Sequence, residues 1–109
     1  MSESAIAWDL PCPFTIDVEV AHDEIDDYGH TNNVVYVRWC EKVAWAHTEA
    51  VGLGMERYRE LGRAMAARRT EIHYLRPSFV GDRVRVANWI VGADWRLRAQ
   101  RWYQMVRLD

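Results

Sequence analysis

The sequence is poor in cysteine and proline and contains no long hydrophobic run. The two cysteines, Cys12 and Cys40, form neither a metal-binding nor a redox motif. No apolar run approaches the roughly 20 residues needed to span a bilayer, and the N-terminus lacks the charged and apolar regions of a secretion signal. We therefore expect a soluble protein of the reducing cytoplasm that does not contact a membrane.

The sequence also lacks an excess of positive charge. Its formal net charge is −2 at pH 7, which argues against binding to nucleic acid through bulk electrostatics. Thirteen of the 14 basic residues are arginine, and most of them follow residue 56. Because the guanidinium group suits phosphate oxygens, these arginines leave room for a local anion site.

Large apolar residues, in contrast, are plentiful. Half of the 109 residues are hydrophobic and six are tryptophan. A chain of this length without a break in composition corresponds to one domain. We assign residues 14–109 to that domain and residues 1–13, which show no sustained period, to a loosely held arm. So much apolar surface on a small domain favours contact with a second copy, so we expect a homo-oligomer.

The hydrophobic periods predict an α+β domain. Residues alternate over Phe14–Val20 as in a half-buried strand, and a long helix is expected from Asn32 or Asn33 to Val51, ended by Gly52. Successive strands joined by short loops imply an antiparallel sheet with the helix on one face. The other expected elements are a short helix over Met55–Leu61, strands over Ala64–Leu75, Arg83–Val91 and Trp95–Leu108, and a turn at Gly92–Asp94.

One face of the long helix is expected to be apolar. On that face, Cys40 is interpreted as a small core residue and His47 as a satisfied interior histidine. Trp45 falls on the polar side, which indicates a subunit contact or a pocket wall. The apolar positions, spaced by three and four, are Tyr36, Trp39, Cys40, Val43, Ala46, His47 and Ala50.

Polar chemistry is concentrated between the first strand and this helix, in the sequence DEIDDYGHTNNVVY. A turn at this place faces the first backbone N–H groups of the helix. These free donors and the positive end of the helix macrodipole favour a negative or polarised oxygen. A carboxylate beside such a helix end suits acyl-transfer chemistry.

Two segments, DDYGHTNNVVYVRW and ARRTEIHYLRPSFVGDRVRV, resemble the hotdog-fold acyl-CoA thioesterases of the 4-hydroxybenzoyl-CoA thioesterase family. The family reads D-x-x-G-H-x-N-N-x-x-Y-x-R-W, then a strand ending in Y-L-R-P, then G-D. The resemblance covers about Phe14 to Arg107. It implies a long helix wrapped by an antiparallel sheet, and a homodimer or dimer of dimers with active sites at the subunit interface.

Relatives of this kind continue for another strand beyond the position of Arg107, so the resemblance implies a hotdog fold that lacks its final strand. Three explanations remain open. The chain is naturally short, another segment covers the exposed edges of the sheet, or the chain is an incomplete fragment with reduced activity.

The resemblance also implies roles for residues of the first motif. Asp26 matches the catalytic aspartate, which acts as nucleophile or general base on the thioester carbonyl. Asn33 falls where the backbone N–H at the helix start polarises the thioester oxygen. Gly29 and His30 shape the turn, and His30 is a further candidate for the catalytic set.

Substrate-binding positions follow from the same motifs. Gly29 and Tyr36 belong to the first motif, Arg68 and Arg69 to the R-R-x-E-I signature, and Arg76 to Y-L-R-P. The three arginines are candidates for binding the phosphates of coenzyme A. The alternative is that they point to solvent or to a carboxylate.

Ordinary explanations exist for the other polar residues. Acids in turns are commonly solvated, which is our interpretation of Asp23 and Asp27. His30 is more typical of a residue that anchors a turn through hydrogen bonds than of a base. The spacing of histidines and acids fits neither an EF-hand nor an H-E-x-x-H motif, so no metal is predicted.

The sequence therefore predicts an acyl-CoA thioesterase that uses no cofactor other than the coenzyme A of its substrate. The alternative is a non-catalytic module of the same fold that binds acyl-CoA or an acyl carrier protein. A purely structural dimerisation domain would leave the polar turn unexplained. Six tryptophans and five tyrosines suit either a pocket or a core, so the acyl group is not specified.

Overall fold

The computed structural model describes residues 6–62, 69–93 and 99–108. Its described strands form one sheet in the order β1-β2-β3, and both neighbouring pairs are antiparallel. In chain order the elements are β1 (Phe14–Glu19), a 3-10 turn (His22–Glu24), α1 (Asn33–Ala50), α2 (Met55–Leu61), β2 (Arg83–Ala93) and β3 (Ala99–Leu108).

Helix α1 begins and ends where its cap residues predict. The side-chain oxygen of Asn32 accepts the N–H of Val34 at 3.1 Å, so Asn32 is the N-cap. After the last turn, Gly52 has a φ of +84°, a left-handed conformation that suits glycine because a Cβ would be strained there. The prediction of a helix from Asn32 or Asn33 to Val51, ended by Gly52, is confirmed.

The core lies between α1 and the sheet. The helix buries Val35, Trp39 and Val43, whose spacing of four places them on one stripe. The expected apolar face is confirmed for Trp39 and Val43, whereas Tyr36 is half-buried and Ala50 is exposed. Within the described ranges, no helix combines the length and apolar character needed to cross a membrane. The other buried members of the core are Val18, Val20, Val84 and Val86.

The opposite face of the sheet is partly covered by the N-terminal arm. Asn88 contacts α1, so the next residue, Trp89, points away from the helix. The Trp89 ring meets that of Trp8 edge-on at 6.2 Å between centroids, and its indole N–H donates to the Pro11 carbonyl at 2.9 Å. This part of residues 1–13 therefore contacts the sheet through a ring pair and a hydrogen bond.

Two strand predictions differ from the structure. Residues 69–75 were expected in a strand, but they are mostly exposed and pair with no described strand. Strand formation depends on a partner and a buried face, which these residues lack here. Gly92 and Ala93 lie within β2 and not in a turn, because the strand continues past a bulge at Val91 and pairs Gly92 with Gln100. Residues 64–68 and 94–98 of the predicted elements lie outside the described residues.

Cys40 lies half-buried on α1, whereas Cys12 is exposed in the arm. Burial raises the pKa of the Cys40 thiol to about 11. The thiol is therefore protonated near neutral pH and is a weak nucleophile. This agrees with the interpretation of Cys40 as a core residue.

We expect a thiol reagent at about pH 8 to label Cys12 rapidly and Cys40 about a hundredfold or more slowly, because so little Cys40 thiolate is present at that pH. The time course of a chromogenic disulfide reagent measures both phases. Cys12→Ser should abolish the fast phase, and Cys40→Ser, the matched control, should leave it intact. A fast phase that survives in Cys12→Ser would contradict this assignment.

Asp17 and Arg85 form a two-point ion pair between β1 and β2. Arg85 Nε and one terminal nitrogen lie 2.7 and 2.8 Å from the two carboxylate oxygens. These hydrogen bonds, with the positive charge of Arg85, hold the pKa of the Asp17 carboxyl below its usual value against a smaller desolvation effect.

We expect Asp17→Asn to remove stability that is present at neutral pH and absent in acid. Because the pKa of Asp17 is lower in the folded than in the unfolded chain, its contribution is complete above the unfolded pKa and is lost as the pH falls through the folded pKa. The Asp17 side chain is 40% exposed, so screening limits the loss to below about 1 kcal/mol. Urea unfolding at about pH 7 and about pH 2 tests this, with Glu19→Gln as the control; equal losses at both pH values would contradict it.

Candidate active site

The polar stretch after β1 folds into a narrow loop closed by backbone hydrogen bonds. The N–H of Asn32 donates to the carbonyl of Glu24 at 2.8 Å, and the N–H of Asp26 donates to the carbonyl of His30 at 2.7 Å. The chain thus turns back on itself between Asp26 and His30 and then runs directly into α1.

The Asp26 carboxylate organises the tip of this loop. Its Oδ1 accepts the backbone N–H groups of Tyr28 at 2.9 Å and of His30 at 3.1 Å, which is a typical role of aspartate in turns. Gly29 has a φ of +80°, so a side chain there would strain the backbone even though the space around it is open. Asp26 is exposed, and its Oδ2 has no partner within the described part of the chain. Oδ1 therefore stabilises the turn, whereas Oδ2 is available to contact water or a ligand.

The start of α1 has one backbone donor to spare. The N–H of Val34 is taken by the Asn32 side chain, and the N–H of Val35 donates to the Asn32 carbonyl at 2.9 Å. The N–H of Asn33 has no acceptor in residues 6–62, 69–93 or 99–108. Asn33 is exposed, so this donor and the positive helix end suit a polarised oxygen.

Thr31 and Ser78 join this loop to a distant segment, and sequence reasoning did not select either of them. They are 3% and 5% exposed. The Ser78 carbonyl accepts both the N–H of Thr31 at 2.8 Å and its hydroxyl at 3.1 Å. The two hydroxyl oxygens are 2.6 Å apart, and Ser78 Oγ lies 2.7 Å from the Tyr36 hydroxyl. No local pattern signals a contact between residues that are 47 positions apart.

The segment that contains Ser78 packs along the loop and the helix start. The Tyr74 hydroxyl donates to the Asn33 carbonyl at 3.3 Å, and the Tyr74 and Tyr36 rings meet edge-on at 5.6 Å. The His30 ring meets that of Phe79 edge-on at 5.3 Å. With its backbone bonded to Asp26 and its ring against Phe79, His30 has the contacts of a turn anchor.

The three candidate arginines differ in their positions. Arg76 is exposed and lies between Tyr74 and Ser78, both of which contact the first turn of α1 or its cap region. Arg69 is also exposed, in a stretch without regular structure, and Arg68 lies outside the described residues. Of the two described arginines, Arg76 is the one in the segment that contacts the helix start.

A second polar cluster lies toward the other end of α1. Arg101 donates to His47 Nδ1 at 3.1 Å and also to Asn88 Oδ1. Because a guanidinium group only donates, His47 Nδ1 is an acceptor and its proton is on Nε2. Asn88 is fully buried, and its amide nitrogen donates to the Phe14 carbonyl at 3.1 Å. His47 Nδ1 and the buried Asn88 are thus paired inside the protein, in agreement with an interior role for His47.

A cavity of about 450 Å³ adjoins this second cluster. Its wall is mainly apolar, and the oxygen and nitrogen of the buried Asn88 in that wall already have partners, which makes it a weaker candidate than the helix start. Elsewhere in the described ranges, no group of three or more histidine, cysteine or acidic side chains is placed to hold a metal ion. The lining residues are Cys12, Pro13, Phe14, His47, Asn88, Trp89 and Ile90.

The chain is similar to known thioesterases in sequence. It is 27% identical over 79 residues to the chloroplastic acyl-acyl carrier protein thioesterase ATL3 of Arabidopsis thaliana. The aligned region covers 72% of this chain and 42% of that protein. It therefore spans less than half the length of this relative.

A similar solved structure is that of a hypothetical protein from Staphylococcus aureus characterised in complex with CoA. The TM-score is 0.82 at 20% sequence identity, covering 88% of this chain and 60% of the other. The likeness confirms the predicted hotdog fold, an antiparallel sheet with one long helix.

The family assignment rests on the sequence. The family model described as the thioesterase-like superfamily matches residues 20–108, from the end of β1 to the end of β3. The matched range includes the loop of Asp26, the helix start and the segment of Ser78. This chain therefore belongs to the thioesterase-like superfamily.

Proposed function

We propose that the protein hydrolyses an acyl-CoA thioester to the free acid and coenzyme A, with Asp26 and the backbone N–H of Asn33 as the reacting groups of the site. The observation that carries the proposal is the loop in which an exposed carboxylate oxygen of Asp26 precedes an unpaired N–H at the start of α1. Family membership and the CoA complex of the staphylococcal protein support this reaction class.

Within the superfamily we place the chain with the 4-hydroxybenzoyl-CoA thioesterases. The support for this finer placement is the motif that runs from Asp26 to Trp39, in which Gly29 and His30 complete the turn. We further propose that a second copy completes the site. Tyr28 and Leu75, in or beside the segments that form the site, are 86% and 87% exposed, and apolar surface of this kind favours burial against a partner.

The geometry suggests how the reaction proceeds. Asp26 Oδ2 removes a proton from water, and the resulting hydroxide attacks the thioester carbonyl carbon. The developing oxyanion accepts the N–H of Asn33. The C–S bond then breaks, and the departing thiolate takes up the proton. In the nucleophilic alternative, Asp26 Oδ2 attacks the carbonyl itself and water cleaves the resulting anhydride.

Coenzyme A is held, in this proposal, by residues beside the helix start. Arg76 supplies a guanidinium group to a phosphate, while Tyr36 and Tyr74 form an aromatic wall next to Asn33. The arginines at positions 68 and 69, which precede Tyr74 in the sequence, are the further candidates for phosphate contacts.

We expect Asp26→Asn to lower turnover by about 10²-fold to 10⁴-fold, the usual contribution of a general base. The fold should persist, because an asparagine oxygen accepts the same turn hydrogen bonds. Release of free thiol from aromatic and aliphatic acyl-CoA thioesters measures the rate, in a Cys12→Ser background that removes the exposed thiol. The matched control is Asp27→Asn, an exposed neighbour that should keep its turnover.

The outcomes separate the alternatives. Full hydrolysis by folded Asp26→Asn would show that the assignment of Asp26 is wrong. A folded wild type that binds acyl-CoA without hydrolysis would select the non-catalytic binding module. Single-turnover hydrolysis in ¹⁸O-labelled water identifies the anhydride route if label appears in the Asp26 carboxylate, because water that attacks the aspartyl carbon of the anhydride leaves its oxygen there.

We expect Arg76→Gln to raise KM for an acyl-CoA about tenfold, or about 1.4 kcal/mol in binding free energy. The KM for the same acyl group on pantetheine, which lacks the nucleotide phosphates, should not change. Steady-state kinetics with both esters test this. Arg83→Gln, an exposed arginine at the start of β2, is the control, and equal effects of Arg76→Gln on both esters would exclude a phosphate contact.

A further inference from the structure

The hydroxyl groups of the buried Thr31 and Ser78 and of the half-buried Tyr36 form a chain where three segments meet. Thr31 lies between the Asp26–His30 turn and the helix cap, Tyr36 lies in the first turn of α1, and Ser78 belongs to the segment of Arg76. We call these three groups the hydroxyl chain. The segments it joins carry the carboxylate, the oxyanion donor and the phosphate-binding arginine of the proposed site.

Only one assignment of donors and acceptors lets the three hydroxyl protons make all three contacts of the hydroxyl chain. The Ser78 carbonyl can only accept, so the Thr31 hydroxyl donates to it at 3.1 Å. The Ser78 hydroxyl then donates to Thr31 Oγ1 at 2.6 Å, and the Tyr36 hydroxyl donates to Ser78 Oγ at 2.7 Å. Every proton is used within the chain, so Tyr36 can offer a ligand lone pairs but no proton.

The position of Thr31 is fixed from both its backbone and its side chain. Its N–H and its hydroxyl both donate to the Ser78 carbonyl, and its Oγ1 accepts the Ser78 hydroxyl. Thr31 and Ser78 are almost fully buried, so water cannot substitute for these bonds without opening the structure. His30, which donates to Asp26 Oδ1, is the residue directly before Thr31, so a displacement of Thr31 moves the Asp26 turn.

We propose that Ser78 and Thr31 are positioning residues for the thioesterase reaction, and that the hydroxyl chain sets the Asp26 carboxylate relative to the N–H of Asn33. This inference rests on the proposed function. Neither residue touches the substrate in this account. Their effect is on the geometry of the reacting groups, so it falls on kcat and leaves KM almost unchanged.

Two substitutions remove hydroxyl groups with little change of shape. Ser78→Ala keeps the backbone carbonyl that accepts from Thr31, and Thr31→Val keeps the branched side chain without its hydroxyl. We expect each to lower kcat about tenfold with KM within about twofold. The double variant should lose little more than either single one, because the groups act as one unit. Thr31→Ser, which retains the hydroxyl, is the matched control and should restore kcat.

A second measurement follows the stability of the Asp26 turn independently of enzyme activity. Amide hydrogen exchange at Tyr28 and His30, the two donors to Asp26 Oδ1, should be about tenfold faster in Ser78→Ala than in the wild type. The paired amides of β1 and β2 should exchange at unchanged rates. Thermal unfolding shows whether each variant is folded at the assay temperature.

The results distinguish this inference from the function on which it rests. An active wild type with a lowered kcat and faster exchange in Ser78→Ala would support it. An active wild type whose folded Ser78→Ala and Thr31→Val variants keep full kcat would overturn the inference alone. A folded wild type that hydrolyses no thioester would overturn the proposed function and, with it, the positioning role.

Discussion

The packing of α1 on the valines of β1 and β2 is the constraint on which the candidate site depends. Val35, Trp39 and Val43 hold one stripe of the helix against the sheet, so the first turn of α1 is fixed in space. The loop that returns from β1 must end at that turn. Its closing hydrogen bonds then leave little freedom for Asp26, which lies only a few residues before Asn33. Core packing and local turn geometry together fix the loop of Asp26 directly before the helix start.

The polar groups at the two ends of α1 differ in whether their hydrogen-bonding atoms already have partners. Near its C-terminal end, Arg101 donates to both His47 and Asn88 inside the protein. The buried Asn88 has partners for both its oxygen and its nitrogen, and such pairing stabilises one arrangement of the cluster. At the N-terminal end, Asp26 and Asn33 are exposed, and each retains an atom without a described partner. Spare hydrogen-bonding capacity, more than the number of polar residues, identifies the candidate site.

The sequence predicts what is local and misses what depends on distant contacts. The cap residues Asn32 and Gly52 defined α1, because each acts on its own helix end. The bond between Thr31 and Ser78 joins residues 47 positions apart, and neither residue is distinguishable from an ordinary turn residue in the sequence. The same reason explains the arm, where the contact of Trp8 with a ring in β2 appears only when the sheet has formed.

The turn also explains why an aspartate, and not a glutamate, suits position 26. The Oδ1 atom must reach the N–H groups of residues two and four positions later, and the short side chain of aspartate does this from within its own turn. An additional methylene would move the carboxylate outward and leave those donors to water. Because one oxygen is occupied by the backbone, the side chain cannot rotate freely, and the second oxygen points in a restricted direction. In our proposal, the group that carries out the reaction is therefore also the group that builds the turn, and the hydroxyl chain sets where that turn lies relative to the helix start.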